Sequence, residues 1–185
     1  MELIAAVVSV ILVAGILPFY KRDPWKGALW LILLALLCLQ ALSTASDSLI
    51  LPWWALGETL AAALLGVVTF EAACGRRQAG RAFLVLVPLG LLCRFISVEI
   101  SGYSLSLLMP LGLLSMASII FVRLELQHKP GAGWVLLGVI AWLIRLWLLN
   151  RVLVADSYAQ ILFGLSLITL VTFMLAVRKQ LRLSQ

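Results

Sequence analysis

Five side chains carry the chemistry that this sequence places inside long apolar runs: Gln40, Glu58, Arg94, Trp142 and Arg145. A carboxylate in hydrocarbon costs several kcal/mol unless it is paired or wetted, so its presence marks a candidate functional group. Glu58 lies about 10 Å along the helix that opens near Pro52, at about 1.5 Å per residue, well inside a bilayer. Arg94 and Arg145 come from other runs at roughly the same depth, as does Gln40. Trp142 stands one turn from Arg145 on the same helical face. Just above this layer lie Glu99, Asn150, Arg151, Asp156 and Tyr158. The inner halves hold no comparable layer, since Glu71 and Glu125 sit beside arginines at the opposite interface. The asymmetry predicts a polar vestibule open to the outside above a dry, packed inner half. There Glu58 would compensate charge or couple a proton, and the arginines would attract an anionic group. The competing possibility is an interhelical ion pair that fixes packing, with the arginines snorkelling to the outer headgroups.

The elements that position these residues are membrane helices. The chain has 185 residues, 64% hydrophobic and 12% charged, and a mean hydropathy of +1.14. Soluble domains hold about 25% charged residues, so lipid must solvate most of this surface. Seven apolar runs, each near the length that crosses a bilayer, fall at 3–20, 26–44, 51–73, 81–98, 102–122, 133–150 and 157–177. They predict an all-α integral membrane protein: one domain over residues 1–185, a seven-transmembrane-helix bundle. The net charge of +6 sits in short clusters between the runs, which argues against nucleic acid as a partner. Lys21, Arg22 and Lys26 follow the first run, Arg76, Arg77 and Arg81 the third, Arg123 and Lys129 the fifth, and Arg178, Lys179 and Arg182 the seventh. The alternate connections hold none, or only Arg151. By the positive-inside rule the N-terminus is outside and the C-terminus cytoplasmic. The first run carries its basic residues after it, so it is expected as a retained helix rather than a signal peptide.

Several secondary features refine the bundle. Asp23-Pro24 and Lys129-Pro130 each precede an even-numbered span, and Asp47-Ser48 and Asp156-Ser157 each fill the outer loop that follows. This is compatible with a parallel three-plus-one-plus-three repeat. The pentapeptide Pro-Leu-Gly-Leu-Leu occurs at 88–92 and again at 110–114, where each proline should kink its helix. Gly57, Ala61, Ala62 and Gly66 give the third span faces on which backbones can approach closely, placing it centrally. Most of the seven tryptophans read as interfacial belt residues, Trp53 and Trp54 at the outer face and Trp25, Trp30 and Trp134 near the inner. His128 reads as a solvated loop residue. Cys38, Cys74 and Cys93 read as small apolar fillers, and one histidine with no CxxC leaves no metal site.

No lysine stands in the last span to hold retinal, no Pro-Gln pairs mark a sugar carrier of that type, and no Gly-x-Ser-x-Gly marks a hydrolase. No catalytic constellation, cofactor or metal site is expected. The sequence points to a small polytopic membrane protein, not an enzyme, that binds or conducts a small solute, with an anionic one favoured by the arginines. The substrate-binding set is Glu58, Arg94, Arg145, Gln40 and Trp142. The alternative is a non-transporting membrane sensor or a structural subunit of a larger complex. Expected partners are membrane lipids, a small molecule or ion, and a second copy or a partner membrane subunit. The short connections suggest a bacterial cytoplasmic (inner) membrane.

Overall fold

The computed structural model describes residues 23–45, 51–95, 99–100, 103–151 and 157–182. Among them are six helices: α1 (Pro24–Ala45), α2 (Leu51–Cys74), α3 (Arg76–Phe95), α4 (Leu105–Leu126), α5 (Ala132–Arg151) and α6 (Ser157–Arg182). Five, all but α3, are long and apolar enough to cross a membrane. The first predicted span, 3–20, lies outside the described residues, as do the side chains of Trp53, Trp54 and Arg94. The seven expected spans therefore reduce here to six helices, of which five qualify. The sixth, α3, carries Arg76, Arg77 and Arg81 within its first six positions.

Local chemistry sets the helix ends. Asp23 caps α1, its carboxylate accepting from the Lys26 N–H at 3.3 Å, and Pro24 occupies the first helical position, where no donor is needed. Gly75, at φ +89°, ends α2 and lets α3 begin at once, so α2 and α3 form a hairpin with a single-residue joint. This differs from the expected loop over 74–81: the arginines there are good helix formers and sit in the first turns of α3 instead. His128, exposed and at φ +55°, closes α4, with its own N–H bonded to the Glu125 carbonyl and the Lys129 N–H bonded to the Leu124 carbonyl. Between α3 and α4, expected as plain loop, Glu99–Ile100 (β1) pairs antiparallel with Tyr103–Ser104 (β2). Helices α3 and α4 continue through Pro88 and Pro110.

The five apolar helices close into a ring. Helix α1 packs on α2 and α6, α6 on α5, α5 on α4, and α4 back on α2. Helix α3 stands outside, packed along α2 and against α4. The largest fully buried side chains come from all five ring helices and none from α3: Leu33, Gln40, Leu65, Val67, Leu114, Trp142, Arg145, Leu146, Leu170 and Phe173. The ring is a filled core, and hydropathy alone does not reveal which face of a helix points into it. In α5, Val135, Val139, Trp142 and Leu146 face inward, while Leu137, Ile140, Ile144 and Trp147 face outward. Both stripes are apolar, as expected of a helix that lipid solvates on its outer side. Helix α2 is central as expected: Ala61, Ala62 and Ala63 are fully buried, and a Cβ on Gly66 would meet Leu86 and Leu113 at 3.0 and 3.5 Å. Gly57 makes no such close approach. Trp30, read as a belt residue, is instead inside the ring at 3% exposure.

Candidate functional site

Gln40, Glu58 and Arg145 reach one level from three different helices. Gln40 is five residues before the end of α1, Glu58 seven after the start of α2, and Arg145 six before the end of α5. At about 1.5 Å per residue, each is about 8–10 Å from that end of its helix. The structure joins them. Arg145 Nη1 donates to Glu58 Oε1 in a salt bridge, Trp142 Nε1 donates to Glu58 Oε2 at 2.6 Å, and Arg145 Nη1 also lies 3.5 Å from Gln40 Oε1. Both carboxylate oxygens are thus engaged by charge-assisted or indole hydrogen bonds, the stronger class of such contacts.

Sequence depth grouped Gln40, Glu58, Arg94 and Arg145, and helical spacing added Trp142; Gln40, Glu58, Trp142 and Arg145 meet. Arg94 is the penultimate residue of α3, at the same end of the bundle; its side chain lies outside the described residues. Between the two arginines, Arg145 is the one seen paired with Glu58. Arg145 does not snorkel: its side chain is 1% exposed and that of Glu58 4%. Instead of lining an open vestibule, the four described side chains are closed over by protein. Helices α2 and α5 do not pack closely on one another, and each packs on α4. The salt bridge therefore crosses the ring interior instead of stitching neighbouring helices.

An aromatic floor lies against this node. Trp142 meets Phe173 of α6 edge-on at 6.5 Å between centroids, and Phe173 meets Trp30 of α1 in the same manner at 6.0 Å. These arrangements favour the positive ring edge against the negative face. The room for Phe173 comes from Gly138, one turn before Trp142: a Cβ there would stand 2.4 Å from the Phe173 ring and 2.6 Å from Thr172 Oγ1. Thr169 Oγ1, next to this contact, lies 3.4 Å from the Gly138 carbonyl. Gly138, Phe173 and Trp30 therefore position the indole that holds Glu58. Sequence reasoning missed them, although Gly138 at four residues before Trp142 was a readable signal of close approach on that face.

The opposite end of the same helices carries a second, looser cluster. Lys26 Nζ lies 4.0 Å from Glu71 Oε1, the Arg76 guanidinium stands 5.7 Å over the Trp25 ring, and Trp25 meets Phe83 edge-on at 6.2 Å. Lys26 is 46% exposed, so this cluster, where α1, α2 and α3 meet, is open to the surroundings, unlike the closed node. Cys38 and Cys93 are buried and Cys74 is exposed. Among the described residues no group of three or more His, Cys, Asp or Glu is placed to hold a metal ion.

No protein-family model matches the chain, and no curated protein or solved structure matches it either. The geometry of the node is what bears on function.

Proposed function

We propose that this chain is a seven-span membrane protein, N-terminus outside and C-terminus cytoplasmic, that binds or conducts a small solute at the Gln40–Glu58–Trp142–Arg145 node. The carrying observation is a buried charge pair that crosses the interior of a ring of five helices, each long and apolar enough to span a membrane. Charges inside a membrane protein are costly, and they mark solute and proton pathways more often than they mark stability. The aromatic floor supports a one-sided approach, from the end of the bundle nearer Glu58. The closed node then corresponds to an occluded state, and solute entry requires the ring to loosen between α2 and α5. The basic clusters after the third, fifth and seventh spans support this orientation, and the short connections support a bacterial cytoplasmic membrane. The chain acts in this view as a carrier or channel rather than a catalyst.

Complete burial of the pair also favours a second function, a membrane sensor or subunit in which the node is a packing pin. The two part in one experiment. Wild-type protein and the Glu58→Gln/Arg145→Gln double variant are reconstituted in liposomes, and chloride, potassium and labelled organic-anion fluxes are measured. The carrier reading predicts a wild-type flux that the neutral pair loses while its melting temperature stays close to wild type. Absence of any flux, together with stoichiometric copurification of another membrane protein, would establish the subunit instead.

A further inference from the structure

Trp142 and Arg145 are three residues apart on α5 and leave it on one face, one turn apart. Their N–H groups are shared between the two oxygens of one carboxylate, the indole on Oε2 and the guanidinium on Oε1. Both donors therefore belong to one rigid element, and the acceptor belongs to another, α2. Gln40, from α1, stands beside the same guanidinium nitrogen. Neither an indole N–H nor a guanidinium can accept a hydrogen bond, so the groups these two aim at Glu58 call for an acceptor. What they fit is a planar anion with two oxygens, one for each donor.

We propose that Trp142 and Arg145 form a cradle for a small monocarboxylate, and that Glu58 is its resident occupant, displaced when the solute binds. This rests on the reading of the node as a solute centre, and it names the solute class. The side-chain atoms of Glu58 beyond Cβ are one carbon and a carboxylate, which is the heavy-atom content of acetate. Exchange of one carboxylate for another keeps Arg145 balanced, so its charge is not stranded, and the displaced Glu58 carboxylate leaves with α2 toward the water that admits the solute. Separation of α2 from α5 empties the cradle without unfolding either helix, because the two are not packed closely together. On the far side, Trp142, Phe173 and Trp30 limit the size of what can enter.

The test uses the full chain in detergent and in liposomes. Thermal unfolding of Glu58→Ala is followed in sodium acetate and in sodium chloride at equal ionic strength. Glu58→Ser, which also empties the space of the carboxylate, serves in the same assay if the alanine variant does not fold. Acetate should raise the melting temperature above the chloride value in a saturable way, and adding Arg145→Met should abolish the difference. Wild-type liposomes should take up labelled lactate, and Arg145→Met liposomes should not. Equal melting in the two salts overturns the cradle. Uptake of chloride or potassium without lactate also overturns it while leaving the carrier function intact. Acetate-dependent stabilisation with no wild-type uptake of lactate reduces the node to a packing pair, and both proposals fall together.

Discussion

Replacing Gly138 by alanine adds one methyl group where α5 meets Phe173 and Thr172 of α6, one turn before Trp142. In an open helix the change would help, since alanine is favoured over glycine by about 1 kcal/mol in a helix interior. Here the new Cβ would stand 2.4 and 2.6 Å from two atoms of the Phe173 ring and 2.6 Å from Thr172 Oγ1. Ordinary carbon contacts begin near about 3.5 Å, so the ring must move by about an ångström. Phe173 is fully buried, between Trp30 and Trp142, so a shift of the ring presses on buried neighbours. Overpacking of this kind costs about 1–3 kcal/mol. If Trp142 shifts with the ring, its bond to the Glu58 carboxylate weakens, and such charged bonds contribute about 1.5–3 kcal/mol. Set against the helix gain, the net expectation is a loss of about 1–4 kcal/mol. The assay is unfolding in mixed micelles of rising denaturing-detergent content, followed by circular dichroism and tryptophan emission. Gly164→Ala, where nothing lies within 4 Å, should be neutral or slightly stabilising in the same helix pair. The Gly138→Ala/Phe173→Leu double variant should recover part of the loss. A Gly138→Ala protein as stable as wild type, with unchanged emission, would refute the claim that this glycine seats the aromatic floor.

Trp142→Phe keeps an aromatic ring but removes the donor to Glu58. It should cost about 1–3 kcal/mol in the same unfolding assay, and a cost under about 0.5 kcal/mol would mean that the indole N–H is not engaged. Arg76→Ala removes a cation over the Trp25 face at an interfacial site, so a change within about 1 kcal/mol is expected; a larger loss would show that the cluster bears more of the fold than its geometry implies. Single cysteines placed at Asp47, Gly102 or Asp156 should react with a membrane-impermeant maleimide from outside, and those at Arg77 or Lys129 only after the cytoplasmic side is opened. Labelling of Arg77 from outside would reverse the orientation.

The helices were legible because each apolar run is close to a bilayer in length, a constraint that hydropathy reads directly. Helix ends at the basic side were less legible. Arg76–Arg81 lie in the first turns of α3 and Arg178–Arg182 in the last turns of α6, beyond the apolar stretches yet helical, because arginine and lysine favour helix as much as leucine does. The pairing of Glu58 with Arg145 was half legible. Depth along each helix follows from counting residues, so Gln40, Glu58, Arg94 and Arg145 were expected to share a level; Gln40, Glu58 and Arg145 meet, joined by Trp142, and the side chain of Arg94 lies outside the described residues. Which arginine faces Glu58 depends on helix rotation and on the order of helices around the ring, and neither is written in a leucine-rich sequence whose two faces are both apolar. The same degeneracy hid Phe173 and Trp30, because a buried aromatic and a lipid-facing one look alike when both environments exclude water. The exterior place of α3 was likewise unreadable from its proline and leucines.

The account turns on Glu58 and Arg145 acting as one buried unit, and a double-mutant cycle measures that directly. Glu58→Gln, Arg145→Gln and the double variant are compared with wild type by unfolding in mixed micelles. Stranding either charge costs about 3–5 kcal/mol, whereas losing both together should cost far less than the sum, leaving a coupling of at least about 2 kcal/mol. Single-variant losses that add within about 0.5 kcal/mol would mean that the two residues act independently, and the node as described would not exist.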